Sequence, residues 1–193
     1  KMSKSLGNFK TVRDLRGQFN PETLRFAIMS AHYRSTLDFS KDLLDQAKSS
    51  LDSLYTALRD VESVKADDTV DVKNTKVYAA LLDDLNTPIA ISELHALAKQ
   101  LNKSTDEEKP RLKAELVKSS ELLGLLFQDP KTWFTASSDD SAISEADINA
   151  LIAEREQAKK DKNYGRADEV REQLKAAGVV LEDSREGTTW RRE

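Results

Sequence analysis

Cysteine is absent from the 193 residues of this sequence. The absence excludes a disulfide scaffold, a zinc site with cysteine ligands and a thiol nucleophile within these residues. Histidine occurs twice, so imidazole chemistry depends on His32 and His95 alone. No apolar run approaches the roughly 20 residues that a membrane-spanning helix needs, and no secretion leader opens the chain. The composition, 38% hydrophobic and 33% charged, predicts a soluble globular protein without a membrane partner.

Charge is distributed unevenly along the chain, although the net charge is only −4. Residues 1–34 carry a net charge of +5, residues 154–193 have ten basic and ten acidic side chains, and the stretch between them carries −9. A polyanion such as RNA or ATP is attracted to the first segment and mildly repelled by the middle. Because the first residue is Lys1 rather than methionine, we expect the chain to be part of a longer protein.

Helix-start signals and apolar periodicity predict a mainly α-helical chain. A helix that starts at Asn20 should run to about His32, residues 60–71 should be a loop, and Gly124 should end the last long helix. Residues 35–134 are predicted to form an antiparallel helical bundle. The predicted helix caps are Asn20 before Pro21, Ser40, Asn74, and Asn86 before Thr87 and Pro88. The apolar positions expected to face inward are Val12, Leu15, Leu44, Ala47, Leu51, Leu54, Tyr55, Leu58, Val77, Leu81, Leu82, Leu85, Ile91, Leu94, Ala98, Leu101, Leu112, Leu116, Leu122 and Leu123.

The last third of the chain predicts a small separate domain. Residues 135–143 are mostly small and polar and are predicted to be a linker. Trp133 and Phe134, just before it, should pack onto the helical bundle. Ser144 with Asp147 forms a variant capping box for one helix, and Asn163 caps a second. Two strands, residues 179–183 and 188–191, should follow as a hairpin. Residues 144–193 are therefore predicted to be an α+β domain of two helices and a β-hairpin.

The most specific string is Lys1-Met2-Ser3-Lys4-Ser5, followed by Leu6-Gly7-Asn8. It resembles the KMSKS loop of class I aminoacyl-tRNA synthetases. Lysines and hydroxyls on a mobile loop can close over a triphosphate and neutralise charge on the leaving pyrophosphate. By this resemblance Lys4 is the main catalytic and ATP-contacting residue and Lys1 assists it, while Met2, Ser3 and Ser5 complete the ATP-binding loop. The alternative is a solvated basic terminus without a ligand.

Three further strings narrow the family. Residues 30–35 (SAHYRS) and 187–192 (GTTWRR) resemble segments of cysteinyl-tRNA synthetases, and residues 83–88 (DDLNTP) are similar to the DALR-like bundle of the same family. With the KMSKS-like loop in front, the resemblance covers the whole chain in order. It implies a KMSKS loop and stem-contact segment in residues 1–34, a tRNA-binding bundle in residues 35–134, and an anticodon-binding domain in residues 144–193.

This resemblance also implies an activity. It identifies the chain as the C-terminal part of a cytoplasmic, monomeric enzyme that activates cysteine with ATP and Mg²⁺ and transfers it to tRNA(Cys). The family's HIGH-type histidine signature and the zinc ion that binds the substrate thiol find no match here, because cysteine is absent and neither histidine has that context. We expect both features in the N-terminal catalytic domain, the chain's other partner, and no metal site in the fragment, which should be inactive alone.

Other titratable residues have ordinary interpretations. His32 at a helix end is expected to interact with the helix dipole, with a catalytic role as the alternative, and His95 to belong to the bundle. Asp83 and Asp84 point about 100° apart on a helix, so they are predicted to be solvent-facing or capping residues rather than a metal pair.

The predicted small domain carries a polar stripe on its second helix. Tyr164 can stack on a base, the Asp168 carboxylate can accept from base amino groups, and Arg171 can contact phosphate. The alternative for Asp168 and Arg171 is a surface ion pair. Trp190 is expected to be half-buried, with base stacking as its alternative. The predicted tRNA-binding residues are Lys159, Lys160, Tyr164, Asp168, Arg171, Asp183, Arg191 and Arg192.

Two other functions remain open at this point. A leucine-rich bundle of net charge −9 could be a helical scaffold for protein partners, although a scaffold gives no reason for the +5 at the start. A ligase that joins cysteine to a small amine could use the same architecture, although a small acceptor requires no anticodon-binding domain.

Overall fold

The computed structural model describes residues 12–135, 143–184 and 187–192. The KMSKS-like residues 1–5 lie outside the described residues, as does most of the predicted linker. The chain divides into two compact units, the first ending at Pro130 and the second starting at Lys131. No helix of the described residues is long and apolar enough to cross a membrane.

Helices make up the described part of the first unit. Asn20, Ser40, Thr75 and Asn86 each cap a helix with a side-chain oxygen that accepts a hydrogen bond from a first-turn N–H. The helices are α1 (Val12–Arg16), α2 (Pro21–Met29), α3 (Lys41–Arg59), α4 (Lys76–Leu82), α5 (Thr87–Leu101) and α6 (Lys109–Leu123), with a 3₁₀ turn at Val72–Asn74.

A leucine-rich core holds these helices together. Helix α2 lies against α3, α3 against α5, and α5 against both α4 and α6. Helix α6 ends in a Schellman motif at Gly124, which adopts φ +67°. The largest fully buried side chains of this unit are Tyr55, Leu51, Leu54, Leu94, Leu101, Leu116, Leu125 and Val77. The predicted helical bundle is therefore confirmed.

The loop predicted at residues 60–71 is present, and two lysines of α6 organise it. The Lys113 Nζ donates to three carbonyl oxygens of residues 61–64 at 2.8–3.1 Å. The Lys118 Nζ donates to the carbonyl oxygens of Asp68 and Val70, both at 2.8 Å. Because each ammonium satisfies carbonyls that no helix or strand pairs, the loop has a defined backbone path without regular structure.

Four predicted core positions are wrong. Val12, Leu82, Leu85 and Leu122 are exposed. Helix α4 ends at Leu82, and the chain then turns through Asp84 and Leu85, each with φ +52°. This turn takes Leu85 out of the helical pattern on which the prediction rested, and Leu82 is left in the last, exposed position of α4.

Two predicted helix ends are displaced. Helix α2 stops at Met29, so His32 lies beyond it rather than in its last turn. Asn74 belongs to the 3₁₀ turn, and the side chain that caps α4 is Thr75, one residue later.

The second unit is built on a helical hairpin followed by a β-hairpin. The predicted caps Ser144 and Asn163 are confirmed, and Ser144 also donates to Asp147. Its elements are α7 (Pro130–Thr135), which starts at the division between the units, α8 (Glu145–Lys160), α9 (Tyr164–Ala176), β1 (Val179–Ser184) and β2 (Gly187–Arg192). The strands pair antiparallel, with Leu181 opposite Trp190. The core comprises Ile148, Ile152, Val170, Leu174 and Val179.

Helix α7 is an element that the sequence did not predict. It buries Trp133 and Phe134. The packing of these two side chains onto the bundle stays a prediction.

Candidate nucleic-acid interface

A tight turn brings the basic end of α8 close to the start of α9. Lys159 and Lys160 lie in the last turn of α8, Lys162 adopts φ +57°, and Asn163 caps α9. The two helices lie against each other. Three lysines therefore lie within the five residues that precede Tyr164, the first residue of α9.

Arg155 joins α8 to the β-hairpin. Its guanidinium donates to both carboxylate oxygens of Asp183, at 2.9 and 2.8 Å, and its side chain is only 7% exposed. Thr188 Oγ1 donates to the same carboxylate at 2.6 Å, and Lys159 Nζ lies 3.4 Å from it. The hydrogen bonds from Arg155 and Thr188 hold the pKa of Asp183 far below its usual range, so the group is an anion at neutral pH.

Two residues of α9 complete the surface. Tyr164 is 64% exposed, and Asp168, one turn further along the helix, is also exposed. The hydrogen bond and charge of Asp183, and then the charge of Asp168, raise the pKa of Arg155, whereas desolvation lowers it. The structure thus brings Lys159 and Arg155 together at Asp183. Tyr164 and Asp168 lie one turn apart on one face of α9.

The remaining predicted cations have different surroundings. Lys160 and Arg171 are exposed on α8 and α9. Arg191 Nε lies 3.2 Å from Glu182 Oε1 across the hairpin. The Arg192 guanidinium donates to the carbonyl oxygens of Thr135 and Ile143, at 3.2 and 2.5 Å. Arg191 and Arg192 therefore already have intramolecular partners.

Trp190 is half-buried as predicted. It packs against the core of the second unit, and its Nε1 donates to Asn149 Oδ1 at 3.2 Å. The Arg192 guanidinium carbon lies 5.7 Å from the centre of its ring.

Sequence reasoning missed Arg155, although the sequence contains a signal for it. Ile148, Ile152 and Arg155 follow at helical spacing, so the arginine occupies a position on the apolar stripe of α8. An arginine at such a position is rarely buried unless it has an anionic partner. The partner is Asp183, which the sequence predicts as a tRNA-binding residue.

The two histidines have structural surroundings. His32 Nε2 lies 3.2 Å from the Asp84 carbonyl oxygen, and its ring stacks on Tyr33 with centroids 4.7 Å apart. Tyr33 Oη donates to Asp84 Oδ1 at 2.7 Å. His95 lies edge-on to Phe26, and burial lowers its pKa. In the part of the chain that the structure describes, no group of three or more His, Cys, Asp or Glu residues could hold a metal ion.

Three protein-family models match the chain in sequence order. Residues 1–49 match the catalytic domain of class I (C) tRNA synthetases, residues 76–128 match the DALR domain, and residues 144–191 match the cysteinyl-tRNA ligase anticodon-binding domain. The last match includes Arg155 and every residue grouped around it.

Curated relatives match the chain over its whole length. The cysteine–tRNA ligases of Saccharophagus degradans, Paramagnetospirillum magneticum and Xanthomonas campestris are 54%, 51% and 48% identical to it over 193 residues. The chain spans 42%, 42% and 41% of their respective lengths. On these matches and on the order of the three domains, the chain belongs to the cysteine–tRNA ligase family.

Proposed function

We propose that this chain is the tRNA-binding C-terminal part of a cysteine–tRNA ligase. The complete protein would activate cysteine with ATP and Mg²⁺ as substrates and transfer the cysteine to tRNA(Cys). The observation that carries the proposal is the exposed Asp183 carboxylate, which the buried Arg155 holds beside Lys159, together with Tyr164 and Asp168 exposed on α9. This group lies within the segment that matches an anticodon-binding domain. The match also argues against a ligase whose acceptor is a small amine, and a protein scaffold would leave the group without a use.

The geometry divides the work of recognition among these residues. Asp168 and Asp183 can accept hydrogen bonds from base amino groups, since a carboxylate has about four lone-pair sites and Arg155 leaves part of that capacity at Asp183. Tyr164 offers an exposed ring for stacking, and Lys159, Lys160 and Arg171 supply cations for phosphates. Arg191 retains guanidinium donors beyond the one directed at Glu182. The contacts of Arg192 support a structural role for it in place of phosphate binding.

The resemblance of residues 1–5 supports the catalytic part of the proposal. Lys4, assisted by Lys1, would neutralise the pyrophosphate, and Met2, Ser3 and Ser5 would line the ATP site. The residues of this chain do not fit the family's zinc ion, because cysteine is absent from the sequence. We therefore assign the zinc ion and the cysteine pocket to the N-terminal catalytic domain of a cytoplasmic, monomeric enzyme.

Two substitutions test the recognition surface in the full-length ligase. Asp168→Ala removes a contact that reads base identity, so the ratio of affinities for tRNA(Cys) and an anticodon-substituted tRNA should fall roughly tenfold. Lys160→Ala removes a phosphate contact, so it should weaken both tRNAs alike and reduce the slope of log affinity against log salt by about 1. Binding is measured for both tRNAs at two salt concentrations.

Glu169→Ala is the matched control. It removes the same charge from the neighbouring position of α9, but Glu169 pairs with Arg166 and points about 100° away from Asp168. An unchanged affinity ratio in Asp168→Ala would show that Asp168 is only a surface residue. A full-length protein without cysteine-dependent pyrophosphate exchange would overturn the proposed activity, and exchange by the 193-residue chain alone would overturn the assignment of the cysteine pocket.

A further inference from the structure

Glu22 is a buried carboxylate held by neutral donors. It lies in the first turn of α2 and is 8% exposed. Its Oε1 accepts from the Leu126 N–H at 2.6 Å, and its Oε2 accepts from Tyr55 Oη at 2.8 Å and from Gln128 Nε2 at 3.3 Å. Burial, and then the adjacent Glu22 charge, raise the pKa of Tyr55 well above its ordinary value, so the phenol stays protonated as a donor.

Arg25 makes a second contact between α2 and the end of α6. Its Nη1 donates to the Leu123 carbonyl oxygen at 3.4 Å. The guanidinium lies so close to Gly124 that a Cβ at this position would come within 3.0 Å of Arg25 Nη1. Residue 124 therefore favours glycine for its positive φ, and a larger residue there would also displace the Arg25 guanidinium by a few tenths of an ångström.

The segment that Glu22 holds is conformationally costly. Leu126 adopts φ +59°, a left-handed conformation that is unfavourable for a non-glycine residue. Such a residue persists only where its surroundings determine the backbone. The hydrogen bond from its N–H to Glu22 supplies that constraint. Tyr55 Oη also accepts from the Gln128 N–H at 3.2 Å. We call the contacts of Glu22, Arg25 and Tyr55 with residues 123–128 the α2 latch.

The α2 latch connects two functional parts of the chain. Helix α2 lies in the segment that matches the catalytic domain, sixteen residues after the KMSKS-like string. Residues 123–128 end the segment that matches the DALR domain. We infer that Glu22 is a positioning residue for cysteine activation, because it fixes α2, which lies in the segment that matches the catalytic domain, on the helical bundle. This inference rests on the proposed function.

Cysteine-dependent pyrophosphate exchange by the full-length ligase tests the inference. Glu22→Ala should lower kcat by about tenfold or more, because small displacements of a catalytic group strongly reduce rates. The KM for cysteine should stay within about twofold, since the cysteine pocket is assigned to the preceding domain. Tyr55→Phe, which deletes one hydroxyl and keeps the core volume, should lower kcat by a smaller factor. Glu22→Gln keeps an acceptor for the Leu126 N–H and should recover part of the loss.

Leu112→Ala is the matched control for lost stability. Leu112 is buried on α6, whose last residue, Leu123, belongs to the α2 latch. It precedes Leu123 by eleven residues and so lies about 16 Å from the α2 latch. It should lower Tm while kcat stays at the wild-type value. If Glu22→Ala and Tyr55→Phe lower Tm as Leu112→Ala does and leave kcat unchanged, Glu22 is only structural. If Glu22→Ala does not fold, the kcat values of Tyr55→Phe and Glu22→Gln test the inference: unchanged values in both would contradict it. Loss of exchange in the wild-type enzyme would instead overturn the proposed function.

Discussion

At the scale of single residues, Arg155 performs a task that a lysine could not. Its planar guanidinium presents two parallel N–H donors to Asp183, whereas an ammonium acts as a point charge. The Asp183 side chain is 51% exposed, so its carboxylate remains accessible from solvent while the buried Arg155 guanidinium fixes its orientation. The pair therefore stabilises the hairpin and orients a candidate RNA-binding group at the same time.

This pair predicts an acid-dependent stability of the second unit. The folded-state pKa of Asp183 lies below its ordinary value of 3.8, so its contribution is complete above that value and is lost as pH falls towards the folded-state pKa. Asp183→Asn should cost about 1 kcal/mol at pH 7, a modest amount because the group is half exposed. The difference in Tm between the variant and the wild type should shrink as the pH falls below about 4.

Thermal unfolding followed by tryptophan fluorescence in a Trp133→Phe background measures this effect. The sequence has two tryptophans, so Trp190 in β2 is then the single tryptophan and reports on the β-hairpin. Glu182→Gln is the control, because Glu182 lies next to Asp183 and pairs with Arg191 instead. A Tm difference between Asp183→Asn and the wild type that stays constant from pH 7 to pH 3 would contradict the prediction.

At the scale of elements, α6 determines the structure of a loop that is distant in sequence. Lys113 and Lys118 lie five residues apart on this helix, and their ammonium groups reach five carbonyl oxygens of the loop at residues 60–71. These cations are therefore occupied by the backbone and unsuited to RNA binding. Lys113 makes more of these hydrogen bonds than Lys118, and its three acceptors lie in residues 61–64, just after the end of α3.

Lys113→Met should loosen this loop while leaving the helices folded. Methionine keeps most of the length of the side chain but cannot donate to the three carbonyls, so amides of residues 61–70 should exchange with solvent about tenfold faster or more. Hydrogen exchange followed by mass spectrometry measures the change. Lys109→Met is the control, because Lys109 pairs with Asp106 at the start of α6. Unchanged exchange in residues 61–70 would show that Lys113 does not hold the loop.

Local signals made most helices predictable, and their failures have local causes. Asn20, Ser40, Asn86, Ser144 and Asn163 could be identified as caps because capping involves only one helical turn. The exposure of Leu85 could not be predicted, because it follows from two successive residues with positive φ, Asp84 and Leu85 itself, and neither is a glycine. The hydrophobic pattern alone continued the helix through this turn.

The candidate site was predictable in part, for a related reason. Tyr164 and Asp168 share a helix face, so their spacing in sequence implies their proximity. The contact of Arg155 with Asp183 spans 28 residues and depends on how β1 packs against the helices, which periodicity does not describe. The α2 latch spans about 100 residues and was likewise not predicted.

At the scale of the whole molecule, the division into two units predicts where a protease cuts. The division falls between Pro130 and Lys131, and the small, polar residues 135–141 follow within a few residues. Limited proteolysis of the 193-residue chain should cleave within residues 135–141 before it cleaves the loop at residues 60–71, whose backbone two lysines hold. Mass spectrometry of the fragments identifies the site, and Lys113→Met should add a second cut in the loop. Cleavage of the wild-type chain in the loop alone would show that the predicted boundary is misplaced.

The position of Arg192 has a consequence for how this family can vary. One guanidinium bonds both Thr135 and Ile143, so the two ends of the connection at residues 136–142 are held together whatever lies between them. Doubling the length of a flexible loop with fixed ends costs only about 0.6 kcal/mol. Residues 136–142 are therefore a point at which evolution or an engineer can insert sequence with little penalty, while Arg192 preserves the spacing between α7 and α8.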